Sequence, residues 1–146
     1  MTTVRFGLPT PQYWGLAVAW TMLILAGFSL PASSLSPART FLDFDKGIHA
    51  ALFAVFGLLW MRALCPPDAT EVWTALRRRG GQLLGTGVLF AGGTEVYQHL
   101  MPIRRMGDPY DALADGVGLL VGILLYGLFL RRRGAQSPVP SASQDS

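Results

Sequence analysis

Four apolar stretches, at residues 14–30, 46–64, 81–100 and 110–130, limit what this chain can fold into. Each approaches the roughly 20 residues that a helix needs to cross the hydrocarbon core of a bilayer. Without water the backbone must satisfy its own hydrogen bonds, so helices are the expected element. At 51% hydrophobic and 14% charged, the 146 residues are too apolar for an ordinary soluble domain. The expectation is an all-α, polytopic integral membrane protein with four transmembrane helices in a compact bundle.

Residues 1–13 read as an N-terminal tail, with Tyr13 and Trp14 as an aromatic anchor at the start of the first span. A cleaved signal peptide competes for that span, but Arg5 alone makes a weak n-region and the apolar run is long for an h-region. The serine- and proline-containing stretch 31–44 is a loop, and Asp43 or Asp45 caps the second span. Pro66 and Pro67 end that helix. A capping box at Asp68 and Glu71 then opens a short segment, 72–79, expected to lie on the bilayer surface with Trp73. The third span follows from Gly80, and its six glycines (80, 81, 85, 87, 92 and 93) allow close helix packing. Asp108 and Pro109 form an N-cap and N1 pair that starts the fourth span, which stops at Arg131–Arg133. Residues 131–146, rich in serine and proline, are expected to be a disordered tail.

Of the 12 basic residues, eight (Arg5, Arg62, Arg77, Arg78, Arg79, Arg131, Arg132, Arg133) fall on the side shared by both tails and the middle loop. Arg39, Lys46, Arg104 and Arg105 fall on the other. The positive-inside rule then puts both termini in the cytoplasm and the chain in the cytoplasmic membrane. The clusters flank apolar runs instead of forming one basic face, so no nucleic-acid partner is expected. The single Cys65 excludes an intrachain disulfide and has no companion for a zinc or redox motif.

Inside this frame the polar residues are the anomaly. A carboxylate such as Glu95 within an apolar run is costly unless it is protonated, paired or facing a polar cavity. At 1.5 Å of rise per residue, His49 lies roughly 6 Å below Asp45, Glu95 roughly 10 Å below Pro102 and Asp115 roughly 6 Å below Asp111, all in one outer slab. Lys46 and His49 share a helix face, as do Glu95 and Gln98, and Asp111 and Asp115. Gly118 and Gly122 continue the last of these faces, so it should pack against a helix. The expected cluster therefore holds Asp45, Lys46, His49, Glu95, Gln98, Arg104 or Arg105, Asp111 and Asp115. Taken singly, each has a bland explanation. Intramembrane hydrogen bonds glue helices for about 1 kcal/mol apiece, aspartates cap, arginines anchor at headgroups, and His99 sits at the interface. Taken together, so many polar groups at one depth exceed what gluing four helices requires.

These residues resemble the VanZ-like family of membrane proteins. The family pattern, Asp-Lys-x-x-His, then Glu-x-x-Gln, an arginine, and Asp-x-x-x-Asn/Asp-x-x-Gly-x-x-x-Gly, is similar to Asp45-Lys46-Gly47-Ile48-His49, Glu95-Val96-Tyr97-Gln98 and the run from Asp111 through Asp115 and Gly118 to Gly122. The likeness covers about residues 43–122. The gap between Gln98 and Asp111 is one residue longer than the pattern, so the family arginine is Arg104 or Arg105, and Arg105 keeps the spacing to Asp111. Asp115 stands where many members have asparagine. The resemblance implies a multi-pass membrane fold and the polar positions. The family's namesake is associated with low-level resistance to teicoplanin, a glycopeptide-resistance and cell-envelope phenotype, but the resemblance supplies no reaction.

Three functions follow from the cluster. In the first, it binds a polar or anionic headgroup of a lipid or cell-wall precursor, held by Lys46 and Arg105 and oriented by His49, Glu95 and Gln98. In the second, His49 and Glu95 are catalytic as an acid–base pair, although no nucleophile elbow or His-Glu-x-x-His pair is present. A metal on His49, Glu95 and Asp115 is chemically allowed, yet ligands from three helices give no diagnostic spacing; no metal is assigned and the cofactor is left unknown. In the third, the protein is structural, with the glycine faces joining it to membrane partners or to further copies of itself.

Overall fold

The computed structural model describes residues 10–29, 45–67, 72–100 and 109–135. They form four helices: α1 (Thr10–Ser29), α2 (Asp45–Leu64), α3 (Val72–Leu100) and α4 (Pro109–Ala135). No strand occurs among the described residues. The described residues are almost all helical, as the apolar stretches predict.

Cross-helix contacts set the directions. Phe28 stacks on His49, Trp20 donates to the Leu52 carbonyl and Tyr13 lies under Arg62, so α1 runs antiparallel to α2. Gly80 meets Ile123, Gly87 meets Leu119 and Gly127 meets Leu76, so α3 runs antiparallel to α4. Lys46 and His49 sit beside Asp111 and Asp115, while Tyr126 donates to the Cys65 carbonyl at the far end. Thus α2 and α4 run parallel, and they form the closest pair in the bundle.

That closeness depends on small residues. A Cβ on Gly118 would strike the Ala50 carbonyl, one on Gly122 would strike the Ala54 carbonyl, and one on Gly57 would come within 2.8 Å of the Leu119 carbonyl oxygen. Backbones this near gain dispersion and Cα–H···O contacts, which in lipid replace the absent hydrophobic drive. The Gly118–Gly122 face is therefore occupied by α2 and is not open to a second protein. Most of the α3 glycines behave differently: among the described residues, nothing outside the local helix backbone lies within 4 Å of a Cβ added at Gly81, Gly85, Gly92 or Gly93.

The core cluster includes Ile24, Phe28, Phe53, Phe56, Met61, Leu119 and Tyr126, with Phe56 stacked on Phe90 at 5.8 Å. α1 is tied on by Trp60, whose indole donates to the Thr21 hydroxyl at 3.1 Å while that hydroxyl donates to the Ala17 carbonyl at 2.8 Å. Large apolar side chains also face outward, Leu89 and Leu113 being 77% and 63% exposed. Such a surface suits lipid and would be a liability in water. Among the described residues, two helices, over Lys46–Leu64 and Pro109–Arg133, are long and apolar enough to cross a membrane. α1 and α3 do not reach that hydropathy over their described residues, α3 because it carries three arginines, Glu95, Gln98 and six glycines.

Three helix ends differ from expectation. The expected surface segment 72–79 is no separate element: α3 runs unbroken from Val72 through Gly80 and Gly81 to Leu100. Glycine in a helix interior costs only about 1 kcal/mol, and the contact of Ile123 with Gly80 favours continuity. α1 begins at Thr10, inside the expected tail, with Pro11 in its first turn where no N–H is needed. α4 continues through Arg131–Arg133, where cations meet the negative end of the helix dipole. Pro66 and Pro67 follow the end of α2, and Pro109 opens α4, as expected. The proposed caps at Asp43, Asp68 and Asp108 and the tail beyond Ala135 lie outside the described residues.

Candidate functional site

Antiparallel packing gathers Arg62, Arg77–Arg79 and Arg131–Arg133 at one end of the bundle and the polar cluster at the other. On α2, Lys46 and His49 are one turn apart; on α4, Asp111 and Asp115 are likewise. Because these helices are parallel and in register, the two pairs meet rung by rung. The outer rung is Lys46 with Asp111, Nζ to Oδ1 3.7 Å, with Lys46 half exposed and its ammonium 5.7 Å from the Tyr110 ring. The inner rung is His49 with Asp115, Nδ1 to Oδ1 3.0 Å.

The two rungs differ in solvation. The outer one is half in solvent, with Lys46 exposed and Asp111 largely buried. The inner one is buried, His49 being 4% and Asp115 0% exposed, and losing either partner would strand a polar group. Phe28 of α1 covers the imidazole, its ring centroid 5.0 Å away and the two ring planes nearly parallel. Glu95 of α3 completes the inner layer. One donor atom from each of His49, Glu95 and Asp115 lies within 4.8 Å of the other two.

Two clefts flank this layer. One, of about 310 Å³, is lined by Glu95, Val96, His99, Leu100, Pro109 and Ala112. The other, of about 450 Å³, lies between α1 and α3 and is walled by Leu25, Phe28, Phe90, Gly93, Thr94 and Tyr97. Each is mostly apolar with a few polar groups, and Glu95 and Phe28 connect them to the buried pair.

The structure thus brings together Lys46, His49, Glu95, Asp111 and Asp115. Asp45 and Gln98 lie on the expected helices, α2 and α3, but their side chains are outside the described residues, as are Arg104 and Arg105 altogether. His49 takes Asp115 as a hydrogen-bond partner, and Glu95, its expected acid–base companion, offers a donor atom within 4.8 Å of both. His99, set aside as interfacial, lines the cleft beside Glu95. Its position four residues after Glu95 on one helix face was a signal for this. Phe28 is also a neighbour the sequence did not announce, since nothing in an apolar run marks which ring will cover a histidine.

Comparison with protein families matches the family model described as VanZ/LLP1 over residues 13–130. No curated protein and no solved structure matches the chain.

Proposed function

Because the chain belongs to the VanZ/LLP1 family, we propose that it is a multi-pass protein of the cell envelope that binds a polar or anionic headgroup at the end of the bundle opposite its arginines. In this reading all four helices cross the cytoplasmic membrane, both termini are cytoplasmic, and the cluster faces outward. The observation that carries it is the buried His49–Asp115 pair with Glu95 beside it, Glu95 also lining a mostly apolar cleft. A buried polar layer reached laterally is what a headgroup needs when its acyl chains stay in the bilayer. Lys46 and Arg105 supply positive charge, and His49, Glu95 and Gln98 orient the headgroup's hydrogen-bonding groups. The headgroup belongs to a lipid or to a lipid-linked cell-wall precursor.

Native mass spectrometry of the detergent-purified protein tests this. Phosphatidylglycerol should be retained over phosphatidylcholine, and Arg105→Ala and Glu95→Gln should each weaken that retention. Equal retention of both lipids by the unaltered chain would sink the reading.

A membrane-embedded enzyme is the second reading, and one observation favours it. An imidazole held by a buried carboxylate, with another carboxylate nearby, is the arrangement of an oriented general base.

A further inference from the structure

The geometry points to a divalent-cation site held by His49, Glu95 and Asp115, one ligand each from α2, α3 and α4. Four observations converge on it. The first is distance. His49 Nδ1 and Asp115 Oδ1 are 3.0 Å apart, and two ligands at right angles on bonds of ~2.1 Å are about 3 Å apart. A metal can therefore take the place of the proton between them with little movement. The donor atom of Glu95, within 4.8 Å of both, comes into range by a side-chain rotation.

The second observation is charge. Two carboxylates, Glu95 and Asp115, share this layer with His49, and Lys46 pairs with Asp111 one turn away. A neutral imidazole, two carboxylates and a divalent ion sum to zero, and charges removed from water are tolerated when they neutralise one another. The third is the second oxygen of Asp115. It is buried and has no hydrogen-bond partner among the described residues, although the residue is wholly enclosed. A bidentate or bridging carboxylate would use that atom. The fourth is access, since Glu95 lines the 310 Å³ cleft. Three protein ligands leave coordination positions open toward it, as in metal sites that bind a water or another oxygen donor.

One nitrogen and two carboxylates form a mixed donor set that suits Zn²⁺ or Mn²⁺ better than Ca²⁺ or Mg²⁺, which prefer oxygen throughout. The cation site stands without the headgroup reading. If both hold, the ion adds to Lys46 and Arg105 in attracting a phosphate oxygen.

The test uses the full-length, tag-free protein in detergent, stripped with EDTA and titrated separately with ZnCl₂ and MnCl₂. The unaltered chain should bind roughly one ion of at least one kind, and Glu95→Gln should weaken binding by about tenfold or more at unchanged helicity. Tyr126→Phe, which disturbs the far end of the same helix pair, should keep the unaltered affinity. With Mn²⁺ bound, pulsed electron paramagnetic resonance should show nitrogen coupling from an imidazole that disappears in His49→Gln. No binding of either ion, equal affinity in Glu95→Gln, or an equal loss in Tyr126→Phe would overturn the proposal.

Discussion

Glycine does opposite things on the two sides of α4. Toward α2, Gly118 and Gly122 are where one backbone rests on another, and no side chain fits. On α3, Gly81, Gly85 and Gly92 meet no other helix among the described residues. One region is a seam of fixed spacing; the other is a helix held mainly by contacts from Phe90, Leu83, Gly80 and Gly87. The difference matters for the polar layer. The seam presents His49 and Asp115 as a pre-set pair, while Glu95 arrives on the more loosely held partner. The layer thus draws two members from the close α2–α4 seam and the third from a helix that packs less closely.

Substitutions can break this contrast. The largest effect is expected for Gly118→Ala, whose methyl would meet the Ala50 backbone and force the helices apart. Overpacking of this kind costs about 1–3 kcal/mol, and the upper end applies because backbone, not a flexible side chain, is in the way. Unfolding by denaturing detergent, followed by circular dichroism, would measure it. Tyr126→Phe comes next. It removes the hydrogen bond that ties the last carbonyl region of α2 to α4, for about 1 kcal/mol. Cys65 reports the same event: its thiol is buried, and burial pushes its pKa up against the opposing pull of Arg79. Alkylation of Cys65 should be slow in the folded protein and faster in Tyr126→Phe. The smallest effect, and of opposite sign, is expected for Gly85→Ala: no clash, and a gain of about 0.5–1 kcal/mol from restricting the unfolded chain. Equal losses for Gly85→Ala and Gly118→Ala would erase the distinction between seam and flank.

Much of this was legible in the residues, and for physical reasons. Helix ends written in proline, at Pro66 and Pro109, fall where the ring chemistry requires. The register of Lys46 and His49 against Asp111 and Asp115 follows from one-turn spacings on two helices of the same direction. What could not be read depends on choices among equals. Asp115 and Glu95 are both carboxylates near His49, and the close α2–α4 approach is what sets Asp115 at 3.0 Å from the imidazole. Continuity of α3 through Gly80 and Gly81 was hidden because three arginines and two glycines look like a boundary, whereas the helix tolerates both. The bond from Tyr126 to the Cys65 carbonyl had no local sign at all.

The central claim is that α3 carries Glu95 to the pair presented by the seam, so that three helices share one layer. A double-mutant cycle between Glu95→Gln and Asp115→Asn, read as unfolding free energy in the same detergent, tests it most directly. Groups this close should couple by about 0.5 kcal/mol or more. Additive effects, with no coupling beyond the error of the measurement, would mean that Glu95 does not belong to the layer.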